Sequence, residues 1–546
     1  MYDTIGSYSS LLLLFLFTSL FGLVYQFVLR SWYYFSDRNV KFVRGVPLLG
    51  STYKSVIGLE PAAISYRRLY DRFPEQKFIG IYDLGGRPSY LLRDPDLIKQ
   101  LMITDFDHFV NHRFTFGNEN DLFTHTLFGM RNSKWRQMRC TVSPAFTGTR
   151  MRMMHELMVK SSEQFIATLK ETDKIAKIFD SRDLFTRYAN DIIATTAFGI
   201  EINSMRDLDN DFFKASYSMS EFRFIDGLKF LASLSCPSLV QLLDIRVTGE
   251  DNADFLRKIV KENIEKRKKD NIVRNDMIDL LIKARNGQLE HADGDDKTDV
   301  GFATTIESNV GKSSEKVQNW TDDDVVAQCL VFILGGLNAI AGTACFMFHE
   351  LSLNPDIQDK LFAEINGVKE ELNGSPLAYE SISKMKYLDK VVCETLRRWC
   401  PVPFLERTCN RPYVLENNEE KVELQVGDGI FVPTYALHMD DKYFRKPIKF
   451  DPERFNDENK GSIQTGTYLP FGIGPRNCIG SRFALMAIKT LAFYLISEFF
   501  VDKSYKTQDP LKLKALPLLM DAEKGFFIEL RRRQPDRTPY KSQVFT

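Results

Sequence analysis

The spacing of apolar positions changes along the chain, and each change marks a different kind of element. Residues 151–170, 255–268 and 277–285 carry apolar side chains three or four apart and are predicted as amphipathic helices. Shorter runs rich in Ile, Tyr, Phe and Val are predicted as strands at 78–84, 89–92, 413–415, 421–424 and 430–433. Gly-Gly, Asn-Asn and Gly-Asp-Gly turns separate some of them. A long apolar stretch begins after Trp320. Thr321 is a good N-cap, Asp322, Asp323 and Asp324 suit the positive end of a helix, and the run lasts to about Leu353, before Asn354-Pro355. At ~1.5 Å per residue such a helix crosses nearly 50 Å, the width of a domain. Residues 222–245, rich in Phe and Leu with few charges, are compatible with a plain buried helix pair, a reading left open here. From 286 to 319 the chain is polar, charged and aperiodic, which predicts a mobile surface connection. The whole reads as mainly α with smaller β-sheets.

The N-terminal pattern differs from all of these. Residues 4–29 carry no charge, and the 11–29 stretch would span ~28 Å as a helix, enough for a bilayer core. Asp3 precedes it, while Arg30, Arg38, Lys41 and Arg44 follow, an asymmetry that puts the following domain in the cytosol. A cleaved signal is disfavoured because there is no basic start and no small-x-small site near Leu29. We therefore expect an anchor at 1–30, a hinge linker at 31–50 containing Gly45-Val46-Pro47-Leu48-Leu49-Gly50, and one large domain at 51–546.

Composition narrows the class. Lys plus Arg equals Asp plus Glu at 72 each, so no strong field attracts nucleic acid. Forty-three Phe suit a large apolar cavity as well as a core. The eight cysteines show no C-x-x-C pairs and no metal-finger spacing, which fits free thiols in a reducing compartment.

One cysteine stands apart. Cys478 lies in Phe471-Gly472-Ile473-Gly474-Pro475-Arg476-Asn477-Cys478-Ile479-Gly480. Gly474 and Gly480 permit close backbone approach, and Gly480 opens a helix whose N–H groups can point at the sulfur. Arg476 is placed to meet a carboxylate, and Phe471 supplies an apolar wall. Upstream, Glu394-Thr395-Leu396-Arg397 puts an acid and a base on one helical face, Phe450-Asp451-Pro452-Glu453-Arg454-Phe455 adds another Arg, and Trp135 and Arg139 stand at i, i+4.

Together these residues resemble the cytochrome P-450 family, whose haem-binding signature F-x-x-G-x-R-x-C-x-G is matched at Phe471, Gly474, Arg476, Cys478 and Gly480. E-x-x-R, P-E-R-F and W-x-x-x-R follow the family's order. The resemblance covers roughly 42–530. It implies haem b with Cys478 as its iron ligand, Phe471 beside the ring, and Arg476, Trp135, Arg139 and Arg407 as propionate partners. It further implies a buried network of Glu394, Arg397 and Arg454 behind the haem, the 322–353 helix over it, and 222–245 over the substrate channel. The Trp-Thr-Asp-Asp-Asp opening at 320–324 resembles insect microsomal detoxification members. For such a member the resemblance implies a single-pass protein of the endoplasmic reticulum membrane. It would oxidise lipophilic small molecules (xenobiotics or endogenous lipids) with dioxygen. Electrons would come from an NADPH-cytochrome reductase carrying FAD and FMN, assisted by a cytochrome b-type donor; the chain itself has no Rossmann or Walker fingerprint. Lys134 and Arg136 are candidate docking residues.

The chain departs from the family at [AG]-G-x-[DE]-T. It reads Gly335-Gly336-Leu337-Asn338-Ala339, so an amide and a methyl replace the acid and alcohol that deliver protons. Thr343, one turn on, is expected to bond its own helix. Three readings follow: a monooxygenase supplied with protons by water at Asn338 or by a substrate hydroxyl, a haem-thiolate isomerase or peroxide-using enzyme, or a non-catalytic protein that sequesters lipophiles.

Overall fold

The apolar run after Trp320 folds into one uninterrupted helix, and the rest of the domain is arranged around it. The computed structural model describes residues 17–18, 22, 33–113, 118–171, 176–221, 224–235, 237–272, 274, 276–288, 301–304, 320–417, 420–515 and 519–533. The helices used below are α1 (Asn132–Val142), α2 (Gly148–Glu171), α3 (Ser181–Ile193), α4 (Asp211–Ser220), α5 (Phe224–Ser235), α6 (Pro237–Leu242), α7 (Glu250–Asp270), α8 (Met277–Arg285), α9 (Asp322–Leu353), α10 (Pro355–Leu372), α11 (Lys386–Arg398) and α12 (Ser481–Glu498). The strands are β1 (Phe78–Tyr82), β2 (Pro88–Leu92), β3 (Ala176–Asp180), β4 (Leu405–Thr408), β5 (Tyr413–Asn417), β6 (Glu420–Leu424), β7 (Gly429–Val432), β8 (Phe499–Lys503) and β9 (Phe527–Arg532).

A reciprocal capping box starts α9. The Thr321 hydroxyl accepts from the Asp324 N–H at 3.1 Å, and the Asp324 carboxylate accepts from the Thr321 N–H at 2.9 Å. Beyond the cap the helix is apolar nearly all round, and such a helix must be buried. It packs against α3, α4, α7, α11 and α12. Among the described residues it is the one helix long and apolar enough to cross a membrane, yet it is the core of the domain. The 11–29 stretch lies outside the described residues except for Phe17, Thr18 and Gly22.

The strands form a sheet ordered β1-β2-β7-β4, another ordered β3-β9-β8, and the hairpin β5-β6. β4 pairs antiparallel with β7, with Arg407 opposite Ile430, and this register carries Arg407 into the interior. A separate core of Phe35, Tyr66, Ile79 and Phe431 lies under the first sheet.

Three expectations are corrected. The hinge is part of the folded body: Val46 and Gly50 exchange backbone hydrogen bonds of 3.0 and 2.8 Å, Ser51 N–H donates to Tyr82 O, and Phe35 is buried against Gly80. Gly50 is required there, since at φ +71° a Cβ would collide with the Tyr82 and Asp83 carbonyls. Within the connection expected at 286–319, residues 301–304 dock on the domain: Phe302 N–H donates to Asp389 at 3.0 Å and its ring stacks on Tyr468. Finally, α5 and α6 are not wholly buried: Val240 is buried, but Ile225 on α5, Leu239 and Leu242 on α6 and Leu243 just after it are exposed.

Candidate functional site

The loop before α12 is shaped by glycine and tied by its own backbone. Gly474 sits at φ +76°, and any Cβ there would collide with the Met102 carbonyl. Asn477 N–H donates to Gly474 O at 3.0 Å and Cys478 N–H to Phe471 O at 2.9 Å, which presents the sulfur just ahead of α12. The Gly480 N–H bonds the sulfur. Of the seven described cysteines, six are buried and Cys478 is exposed. Protein mass nonetheless surrounds it, so burial raises its pKa, opposed by the Gly480 N–H and the Arg139 charge. An open thiol deep in the molecule faces an internal space, and Gly480 beside it has nothing within 4 Å of where a Cβ would be.

Behind the loop, the expected ion network is present and fully wired. Arg397 makes a bidentate pair with Glu394 at 2.7 and 2.9 Å, and Arg454 Nε reaches the same carboxylate at 3.3 Å. Glu394 also accepts from the Asp451 N–H at 2.9 Å, and Arg397 donates to the carbonyls of His438 (2.7 Å) and Pro447 (2.8 Å). Glu394 and Arg397 have no exposed surface, so this pairing is what makes their burial tolerable.

Sequence reasoning missed His438. Its Nδ1 bonds Arg397 O at 3.1 Å and its Nε2 accepts from the Leu469 N–H at 2.8 Å. Burial, helped by the Arg397 charge, pushes its pKa down to about 3, so the ring is neutral and links the ion network to the strand of chain entering the thiol loop. Asn477 was missed too: it holds Arg139 through its carbonyl (3.0 Å) and its amide oxygen (2.8 Å). Only its place inside the cysteine motif pointed to it.

The remaining predicted cofactor residues gather on one side of the loop. Arg476 donates to the carbonyls of Val110 (3.0 Å), Leu127 (3.0 Å) and Met130 (2.7 Å), and its guanidinium lies 4.3 Å over the buried Trp135 ring. Arg407 is buried, donates to Glu406 O at 2.6 Å, and leaves its Nε without a partner. Burial, then repulsion from Arg407, Arg139 and Arg131, pushes the Arg476 pKa well down despite the Glu406 charge. Glu406 itself is shared with His112 at 2.9 Å and the Arg113 N–H at 3.1 Å. Here buried cations outnumber carboxylates and one guanidinium nitrogen is orphaned. Such a cluster fits an acidic group with more than one carboxylate, and haem b brings two propionates. With an open thiol alongside, the donor set fits the cofactor.

The departure from the family's distal motif lies on α9. The helix stays regular through Gly335 and Gly336 rather than loosening there. Gly336 lets α3 approach, since a Cβ would sit 3.0 Å from Ile193 Cδ1, whereas Gly335 is exposed with nothing within 4 Å. Ala339, one turn from Gly335, shares its face. Asn338 is tied to Arg182 and to Ser220 O. Thr343 Oγ1 donates to Ala339 O at 2.8 Å, so its proton is engaged by its own helix.

Comparisons with known proteins agree with this geometry. The family model described as Cytochrome P-450 matches residues 66–529. The chain is 37% identical over 528 residues to the probable cytochrome P-450 9f2 of Drosophila melanogaster, covering 95% of this chain and 98% of that protein. It is also 37% identical over 516 residues to cytochrome P-450 9e2 of Blattella germanica, covering 92% and 94%. With cytochrome P-450 6k1 of the same cockroach it shares 33% identity over 493 residues, 90% of this chain and 91% of the other. An open cysteine in a glycine-shaped loop, a cation cluster fitted to propionates and a match over most of the length lead to one conclusion: this chain belongs to the cytochrome P-450 family, the haem-b monooxygenases, and sides with its insect members.

Proposed function

We propose that the protein is a microsomal monooxygenase of lipophilic small molecules, xenobiotics or endogenous lipids, served by a separate NADPH-dependent flavin reductase and assisted by a cytochrome b-type donor. The observation that carries this reading is the pairing of the open Cys478 thiol and its cation cluster with an apolar helix face around Gly335 and Ala339. Bound haem supplies dioxygen activation, and a thiolate ligand favours that chemistry by donating electron density. The chain supplies the rest. Gly480 N–H and Arg139 stabilise the sulfur anion, Arg407, Arg476, Arg139 and Trp135 would hold the cofactor's carboxylates, and Phe471 would supply an apolar wall to its ring. Asn338 cannot ionise and Ala339 has no hydroxyl, so protons reach the site through water held at the Asn338 amide or through a substrate hydroxyl.

Three features support the membrane location. The 11–29 stretch is apolar, Phe17 within it is 68% exposed, and Leu242 on α6 is 79% exposed. Lys134 on α1 is exposed and available to an acidic partner, while Arg136 is engaged by Asp107.

The test is turnover of a lipophile panel by purified protein with reductase and NADPH. Oxygenated product that needs both supports the reading. The loss of the alcohol at 339, with Thr343 occupied, favours a second reading as an isomerase or peroxide user. Product from hydroperoxides alone would establish that reading instead, and binding without turnover would make the protein a sequestering one.

A further inference from the structure

The turn Gly301-Phe302-Ala303-Thr304 is seated on the elements that carry the ion network. Thr304 N–H donates to Gly301 O at 3.0 Å, which closes the turn. Asp389, in the first turn of α11, divides its carboxylate. One oxygen accepts from Lys489 of α12 at 2.7 Å, and the other accepts from the Phe302 N–H at 3.0 Å. Lys489 has no exposed surface, so its charge is tolerable only with that carboxylate beside it. Gly301 makes the approach possible, because a Cβ there would run into the Asp389 carboxylate and stand 2.8 Å from Lys489 Nζ. Ala303 is buried, and its backbone hydrogen-bonds the Cys393 thiol.

The Phe302 ring carries the contact further. It stacks on Tyr468 with centroids 5.8 Å apart and lies 5.6 Å from Phe455, the residue after Arg454. Tyr468 in turn precedes Leu469 and lies 5.5 Å from the His438 ring. Its hydroxyl donates at 2.9 Å to the carbonyl of Cys393, the residue before Glu394. The turn therefore touches α11, α12 and the chain entering the thiol loop at once. Packing alone is the plainer account, yet a Phe left 40% exposed gives up much of the area an aromatic ring can bury. What the residue does supply is a donor to the Asp389 carboxylate and a flat backing for Tyr468.

We propose that the 301–304 turn is a wedge that positions the thiol loop: Phe302 backs Tyr468, and Tyr468 holds in register the chain that runs from Leu469 to Cys478. Phe302 is a positioning residue that acts through Tyr468 rather than on the iron. The wedge rests on the reading of Cys478 as the iron ligand.

The experiment uses the full-length haem-loaded protein, reduced under carbon monoxide in a fixed, sub-denaturing concentration of urea. Phe302→Ala removes the ring and keeps the backbone bond to Asp389, whereas Gly301→Ala drives the whole turn off. Should Gly301→Ala fail to load haem, Phe302→Ala carries the test. Two quantities are followed: the rate at which the red-shifted thiolate band is lost, and hydrogen exchange in peptides spanning 301–304, 466–472 and β1–β2. Phe302→Ala is expected to speed loss of the band about fivefold, the effect of one aromatic pair, and to raise exchange at 466–472 with β1 and β2 unchanged. A native rate of band loss overturns the wedge whatever the exchange. Faster exchange that extends to β1 and β2 makes the effect a general loss of stability and overturns it too. A native protein with no thiolate band at all overturns instead the ligand reading on which the wedge rests.

Discussion

The two sides of the site are built on opposite plans. Behind Cys478, the carboxylate of Glu394 has three partners, Arg397 is bonded to Glu394, His438 O and Pro447 O, and His438 passes the constraint on to Leu469. α9 by contrast presents a bare glycine, a methyl and one amide whose partners come from other helices. The thiol side is over-determined: groups buried this deeply are stable only when each is paired, so no member can be changed alone. The α9 side is held by few polar bonds and can vary without unfolding the domain. This contrast explains why the residues that depart from the family stand at 338 and 339 and not in the network.

Breaking the network should give the largest effect. Arg397→Ala leaves the Glu394 carboxylate buried without its bidentate partner and strands two carbonyls, a loss of about 3–5 kcal/mol. The variant is expected to accumulate with little haem, read from the ratio of haem to protein absorbance. Normal haem loading would show that the pair is dispensable.

A pH titration sharpens the same side. The folded pKa of His438 is depressed to about 3 from an unfolded value of ~6.5, so its neutral form is the one the fold stabilises. That stability is present in full above the unfolded pKa and is lost as pH falls toward the folded one. His112, His155 and His349, each pushed by burial to about 4, act in the same direction. The thermal midpoint should therefore fall between pH 6.5 and 4, and His438→Gln should flatten that fall. An unchanged slope in the variant would remove His438 from the link between Arg397 and the thiol loop.

The smallest effect is expected on the α9 side. Ala339→Thr costs about 0.5 kcal/mol of helix propensity and places an alcohol on the open face. Hydrogen peroxide released per NADPH consumed should drop if proton delivery is limited by the missing hydroxyl, whereas unchanged coupling would show that water already suffices.

Legibility in the sequence followed the same division. The limits of α9 could be read because Thr321, the three acids and Asn354-Pro355 signal locally. Glu394, Arg397 and Arg454 could be read because they belong to short motifs. His438 could not, since its two partners lie 41 and 31 residues away and nothing beside it marks the contact. β3 and β9 escaped for a related reason: Ala176 pairs with Arg531, and neither short strand alternates clearly enough to stand alone. The hinge was misread because Gly and Pro signal a turn without saying whether it docks, and docking depends on Phe35 meeting Gly80. Asn338 read as an absent acid, and only the positions of Arg182 and Ser220 gave it partners.

The central claim is that the Cys478 sulfur binds the haem iron, and the carbon monoxide difference spectrum of the reduced protein tests it most directly. The native protein should give the strongly red-shifted band of a thiolate-ligated haem, and Cys478→Ser should abolish it. A band that survives the substitution would mean that another residue holds the iron.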